Sequence, residues 1–149
     1  MTLVYSSVQM SSTLLERLEQ YVLSCLPQEG CGALLGHTER GNVHITEFIP
    51  IPNISPDPYH HFEFDGPTWV RCVIQEQALI GIFHSHPSTA PVPSREDLQQ
   101  LQLFGTGMIA YLITGARDSS QSYTEAYLVN PIATLPLLLT LKPVPLRVT

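Results

Sequence analysis

A chain of 149 residues can bury about two-thirds of the surface its unfolded form exposes, so it can build a core without disulfide or metal staples and reads as one domain. Hydrophobic residues are 44% of it and charged residues 13%, which excludes an intrinsically disordered chain and leaves room for apolar surface and self-association, such as a homodimer. A formal charge of -6 with only 7 scattered basic residues excludes a general nucleic-acid binder, which needs clustered Lys and Arg.

Met1 to Ser7 lacks the basic region and long apolar core of a signal peptide. Residues 10 to 26 carry the first helical pattern, with Leu14, Leu15, Leu18, Tyr21, Val22 and Cys25 at helical spacing behind Ser11, Ser12 or Thr13 as cap. Pro27 ends it. Gln28 to Gly36 reads as a loop entering a short buried strand, and Val43, Ile45, Phe48 and Ile49 as a second strand paired to it through a turn between Gly36 and Asn42. His44 is expected at the surface. Residues 51 to 61 hold three prolines and no periodicity, hence a loop. Asp65-Gly66-Pro67 opens a second helix whose buried stripe is Trp69, Val70, Val73, Ile74 and Ala78, with proline where its missing N–H does no harm.

Leu79 to Phe83 is a short apolar run that reads as a buried strand ending at His84 and His86. A proline-stiffened loop follows, then a third helix from Ser94 to about Phe104, stopped by Gly105 and Gly107. Met108 to Thr114 is a buried strand, Gly115 to Ser120 a turn, and Tyr123 to Val129 an outer strand. Beyond Asn130-Pro131 the pattern is ambiguous, because Pro136, Pro143 and Pro145 forbid a regular central element. The most apolar stretch, Ile132 to Leu141, is broken by Pro136 and shorter than the ~20 residues a membrane span needs. Cys25, Cys31 and Cys72 are odd in number with no C-x-x-C spacing, which fits a reduced, cytoplasmic, soluble protein. Helix crossovers mixed with short turns imply an α/β domain, a layered α-β-α arrangement around a mixed, curved sheet.

His84 and His86 leave their strand on one face, close enough to hold one metal ion, with Asp97 across the loop as a third ligand. Two plainer readings stand beside this one. A His-x-His pair can be ordinary satisfied imidazoles, and Ser94-x-x-Asp97 is also a capping box for the third helix. His60 and His61 are rival ligands, but adjacent residues of an extended chain point apart and no third ligand lies at a recognisable spacing. Ser85 faces away from the two histidines and receives no catalytic role.

The full spacing, His84-Ser85-His86-Pro87, six residues, then Ser94-x-x-Asp97, resembles the signature of the JAMM (MPN+, Mov34/Pad1) zinc metallopeptidases. Pro27, Glu29, Gly32, Leu34 and Gly36 fit that family's glutamate segment position by position, and Asn53 with Phe62-Glu63-Phe64 matches a further stretch loosely. The resemblance spans roughly Pro27 to Leu112 and implies an α/β fold related in shape to the cytidine deaminases. It also implies one zinc ion on His84, His86 and Asp97, with a fourth position left for water whose pKa falls from 15.7 to about 7. Glu29 would be the general base and acid, and Ser94 would assist at the oxyanion. The implied substrate is a ubiquitin-like or sulfur-carrier protein, cut after its C-terminal glycines. A noncatalytic JAMM-fold scaffold or protein-binding module is the alternative, although all five expected positions are filled. A Cys31 thiol hydrolase lacks an adjacent base, and a deaminase would need H-x-E with a later Pro-Cys-x-x-Cys, a segment the chain lacks.

Overall fold

The computed structural model describes residues 4–104, 107–116, 121–132 and 138–149. Its elements follow the order β1 (Ser7–Met10), α1 (Ser12–Cys25), β2 (Cys31–Glu39), β3 (Asn42–Pro50), α2 (Gly66–Gln75), β4 (Leu79–His86), α3 (Arg95–Phe104), β5 (Ala110–Ala116), β6 (Ser122–Ile132), β7 (Leu138–Val144) and β8 (Leu146–Val148). The strands form one mixed sheet in the order β7-β6-β5-β4-β2-β3-β1-β8. β4 pairs parallel with β5 through the α3 crossover and antiparallel with β2, which puts the histidine-bearing strand at the centre.

Each helix begins where its sequence supplies a cap. The Ser11 side chain accepts from the Leu14 N–H and the Asp65 side chain from the Thr68 N–H. The β2–β3 turn is tighter than the sequence suggests: Glu39 pairs with Asn42, and Arg40 and Gly41 have φ of 52° and 78°, as a two-residue type I′ turn requires.

The helices layer on the two faces of the sheet, but the expected buried stripe of α2 is not the face it buries: Trp69 packs against the core, while Val70, Val73 and Ile74 are more than half exposed and Ala78 is exposed. Leu14, Leu18 and Val22 of α1 pack with Val8, Leu34, Phe48, Phe83 and Leu112 on one face of the sheet. Cys72 of α2 and Leu101 of α3 pack with Ile51, Phe62, Phe64, Ile82, Tyr111 and Ile113 on the other. The expected α/β arrangement of three helices on a mixed sheet is therefore present. A bulge, where Leu34 pairs with Gly81 but Leu35 with Leu79, resets the alternation of β4. From Ile82 onward, Ile82, His84 and His86 share the α2/α3 face while Phe83 and Ser85 take the α1 face.

The sheet is wider than the sequence pattern indicates. β1 precedes the first helix and pairs parallel with both β3 and β8, an entirely non-local arrangement. β7 and β8 lie at the two edges, where the prolines are tolerated: Pro143 sits in an edge strand, and Pro145 separates the two. β6 continues through Asn130 and Pro131 to Ile132. Gly115 and Ala116 still belong to β5, while the rest of the turn expected up to Ser120, residues 117–120, lies outside the described residues, as does Gly105. No helix among the described residues is long and apolar enough to cross a membrane.

Candidate metal centre

The centre lies where β4 ends and α3 begins. Ser94 is the N-cap of α3, and the cap is reciprocal: the Asp97 N–H donates to Ser94 Oγ at 3.0 Å and the Ser94 N–H donates to Asp97 Oδ2 at 2.9 Å. This is the capping-box geometry with Asp in place of the usual Glu or Gln. The cap fixes the Asp97 rotamer, and the N-terminal end of the helix favours its negative charge. Asp97 is buried, and its two oxygens divide between the histidines, Oδ1 at 3.2 Å from His84 Nε2 and Oδ2 at 3.0 Å from His86 Nε2. The two Nε2 atoms are 3.1 Å apart.

Three donor atoms thus converge at one point. Ligand atoms about 2.0–2.1 Å from a tetrahedral ion stand roughly 3.3–3.4 Å from each other, so these side chains are already near the spacing an ion would impose. The donor set, two imidazoles and one carboxylate, suits a borderline divalent ion. Among the described residues, His84, His86 and Asp97 are the group of ligating side chains close enough to share a metal.

The surroundings fix each ring. His86 Nδ1 is 2.8 Å from the Ala90 carbonyl, so the N–H sits on Nδ1 and Nε2 is left for a ligand. His84 is fully buried, stacked on Phe62 at 4.5 Å between centroids and edge-on to Tyr111 at 5.5 Å. The loop from Pro87 to Pro93 is tied down by two further bonds, Ala116 N–H to the Thr89 carbonyl at 2.8 Å and Tyr127 O–H to the Pro91 carbonyl at 2.6 Å. Gly115 permits that approach, since a Cβ there would stand 2.4 Å from the Pro91 nitrogen.

Burial alone would raise the Asp97 carboxyl, but the hydrogen bonds and charge of His84 and His86 hold it well below the usual carboxylate range. Burial lowers His84, against which Asp97 pulls only in part. Burial also acts to lower His86, yet the bonds to Asp97 and Ala90 outweigh it and raise that imidazole. A raised imidazole proton stabilises the metal-free fold below its ordinary pKa of about 6.5, and that contribution is lost as pH rises through the raised value. The same proton competes with a metal for Nε2. Affinity of this site for a divalent metal is therefore expected to fall, by roughly tenfold per pH unit for one displaced proton, as pH drops below the raised His86 value. Calorimetric titration in buffers of increasing acidity measures this.

Glu29 enters from the other side of the sheet centre. It lies just ahead of β2, on the same face as Cys31, and is 4% exposed. Its N–H donates to the Pro58 carbonyl at 2.8 Å and its carbonyl accepts from Asn53 Nδ2 at 3.0 Å. Burial pushes its carboxyl up to about 8, against an opposing pull from His86 and with Asp97 and Asp57 adding to the rise. Oε1 has no hydrogen-bond partner among the described residues. Glu29, His86 and Ser94 line one cleft of about 270 Å³, so a molecule in it meets the glutamate, the His86 side of the ligand group and Ser94 together. Because Ser94 Oγ accepts the cap bond, its own hydrogen is left to donate.

All five candidate residues from the sequence are brought to this place. His60 and His61 are not part of the ligand group: both are exposed at the rim of the same cleft, and His60 Nδ1 is 3.0 Å from Asp57 Oδ1. Two residues matter more than their sequence context suggests. Tyr127 reads as an ordinary strand residue but anchors the proline loop. Asn53 is a hub, donating to the Glu29 and His61 carbonyls, both at 3.0 Å, and accepting from the Ser55 and Glu63 N–H groups at 3.0 and 3.1 Å. Replacing Asn53 by Ala strands these groups and is expected to cost about 1–3 kcal/mol or more, measured by urea denaturation.

Residues 11–126 match the family model described as prokaryotic homologs of the JAB domain. A "Probable TtuB-protein conjugate cleaving protease" of Thermus thermophilus is 29% identical over 116 residues, covering 70% of this chain and 75% of the relative. A "Desampylase" of Haloferax volcanii is 31% identical over 78 residues, covering 50% of this chain and 55% of the relative, so the match spans about half of that protein. The fold is also that of a protein from Desulfitobacterium hafniense solved in solution, with a TM-score of 0.71 at 22% identity over 95% of this chain and 94% of the other. A protein from Salinibacter ruber gives 0.62 at 23% identity over 93% and 90%.

Proposed function

Because the chain belongs to the family of prokaryotic homologs of the JAB domain, we propose that it is a zinc metallopeptidase that cuts the amide bond joining a ubiquitin-like or sulfur-carrier protein to its adduct. The carrying observation is the convergence of His84, His86 and Asp97, with His86 lining the same cleft as the buried Glu29. The relatives named for cleaving a protein conjugate and for desampylation support the substrate class.

In this reading His84, His86 and Asp97 would hold the ion. When bound, zinc supplies Lewis acidity, lowering the pKa of water to about 7 and polarising a carbonyl. Glu29 takes a proton from the attacking water and returns it to the leaving amine. Its raised pKa suits both halves of that cycle, since a cation nearby draws it back towards neutrality. The Ser94 hydroxyl donates to the carbonyl oxygen as negative charge develops on it. A tail without side chains, such as a pair of C-terminal glycines, is the part of that substrate that would enter the cleft of about 270 Å³.

The test is incubation with glycine-tailed carrier proteins fused or conjugated to a second chain, followed by intact-mass analysis. Release of the carrier with a free C-terminal glycine is expected. Uncut conjugates in the presence of zinc would favour the scaffold reading.

A further inference from the structure

We propose that Ser85 is a positioning residue for the Glu29 carboxyl, acting by locking the Glu29–Gly30 backbone to the strand that carries the metal ligands. The inference rests on Glu29 being the base. Ser85 lies between His84 and His86 but points to the opposite face of the sheet, so it touches neither the ligand group nor the cleft. It is 3% exposed, and a hydroxyl buried on that face needs a partner.

That partner is Gly30. The Gly30 N–H donates to Ser85 Oγ at 2.8 Å, and the Ser85 N–H donates to the Gly30 carbonyl at 2.9 Å. The β2–β4 ladder begins one pair further in, at Cys31 and His84. At the next position outward a regular antiparallel pair would exchange both bonds between backbones. Here the return bond goes to the serine side chain instead, so the ladder is extended by one residue while the chain turns out of the strand towards Glu29. Behind Gly30, α1 closes the space: a Cβ there would stand 3.1 Å from Cys25 Sγ and 3.2 Å from Val22 Cγ1.

Of the four peptide N–H and C=O groups of Glu29 and Gly30, two are held by Ser85, one by Asn53 and one by Pro58. Ser85 therefore sets how the base stands relative to the two ligands on either side of it. Misplacement of a reacting group by about 1 Å can cost on the order of a hundredfold in rate. Ala at position 85 leaves the Gly30 N–H without its acceptor. Thr keeps the acceptor, and the cavity of about 80 Å³ beside Ser85 has room for its methyl group.

The test compares Ser85→Ala, Ser85→Thr and Glu29→Gln with the wild type in the zinc-loaded full chain. Ser85→Ala is expected to lower kcat at least tenfold with KM and zinc content unchanged, and to speed hydrogen exchange of the Gly30 amide at least tenfold. Ser85→Thr restores both. If Ser85→Ala does not fold, Ser85→Cys, which keeps the volume but offers only a weak acceptor, is read in the same way. Wild-type kcat and Gly30 protection in the Ala or Cys variant, with Glu29→Gln inactive, overturns the Ser85 inference and leaves the base assignment standing. Wild-type kcat in Glu29→Gln overturns both.

Discussion

Replacing Glu29 by Gln is expected to lower cleavage of a glycine-tailed conjugate by about 10²–10⁴, the range general acid–base catalysis contributes, while the bound metal remains. The substitution keeps the shape of the side chain and leaves untouched the backbone bonds to Pro58, Asn53 and Ser85 that hold the segment. None of the three metal ligands changes. What is lost is a group able to take a proton from water and return it. A second readout has a defined sign. The folded carboxyl titrates at about 8, above its ordinary value, so between the two the folded chain binds more protons than the unfolded one. Stability of the metal-free wild type therefore falls as pH rises through that window. Gln removes this slope, and the metal-free variant gains on the wild type with rising pH, which thermal melts across the window will show.

Replacing Asp97 by Asn is expected to abolish activity and to weaken zinc binding beyond the roughly 10–100-fold that loss of an outer-shell partner costs. Asn retains an oxygen for the Ser94 N–H, so the start of α3 survives. It loses the charge that faces both histidines. Metal analysis after dialysis and a zinc titration measure the loss. A pH effect accompanies it. The folded Asp97 carboxyl lies below its ordinary value, so it stabilises the metal-free wild type above the unfolded pKa of about 3.9, and that contribution disappears on acidification. The Asn variant is expected to lack this part of the acid dependence.

The centre of the molecule was legible because its chemistry follows local rules. Alternation puts His84 and His86 on one face, a capping box makes Ser94 and Asp97 a helix start, and three prolines stiffen the loop between. The JAMM resemblance carried by those positions and by the Glu29 segment agrees with the family match over residues 11–126. Glu29 itself has no local pattern that marks it, and it became a candidate only through that resemblance. The edges of the sheet were not legible for a physical reason. β1 is four residues, Ser-Val-Gln-Met, with no periodicity of its own, and its partners β3 and β8 lie far away in sequence. β7 carries Pro143, which argues against a central strand and is compatible with the edge it occupies.

The supporting residues were hidden for a related reason. Asn53, Ser85 and Tyr127 act through backbone groups of distant segments: the Glu29 carbonyl, the Gly30 N–H and the Pro91 carbonyl. Every residue carries a backbone C=O and every residue but proline an N–H, so no side-chain motif announces such a bond. Alternation along β4 places Ser85 on the far face correctly, but only the fold brings Gly30 against it there.

The most direct measurement is stepwise zinc titration of the metal-stripped protein, with bound metal and cleavage of a glycine-tailed conjugate followed in the same samples. Cleavage should be absent without metal, rise in proportion to zinc and level off at one equivalent per chain. Cleavage that persists in the stripped protein, or none at one bound equivalent, would contradict the account.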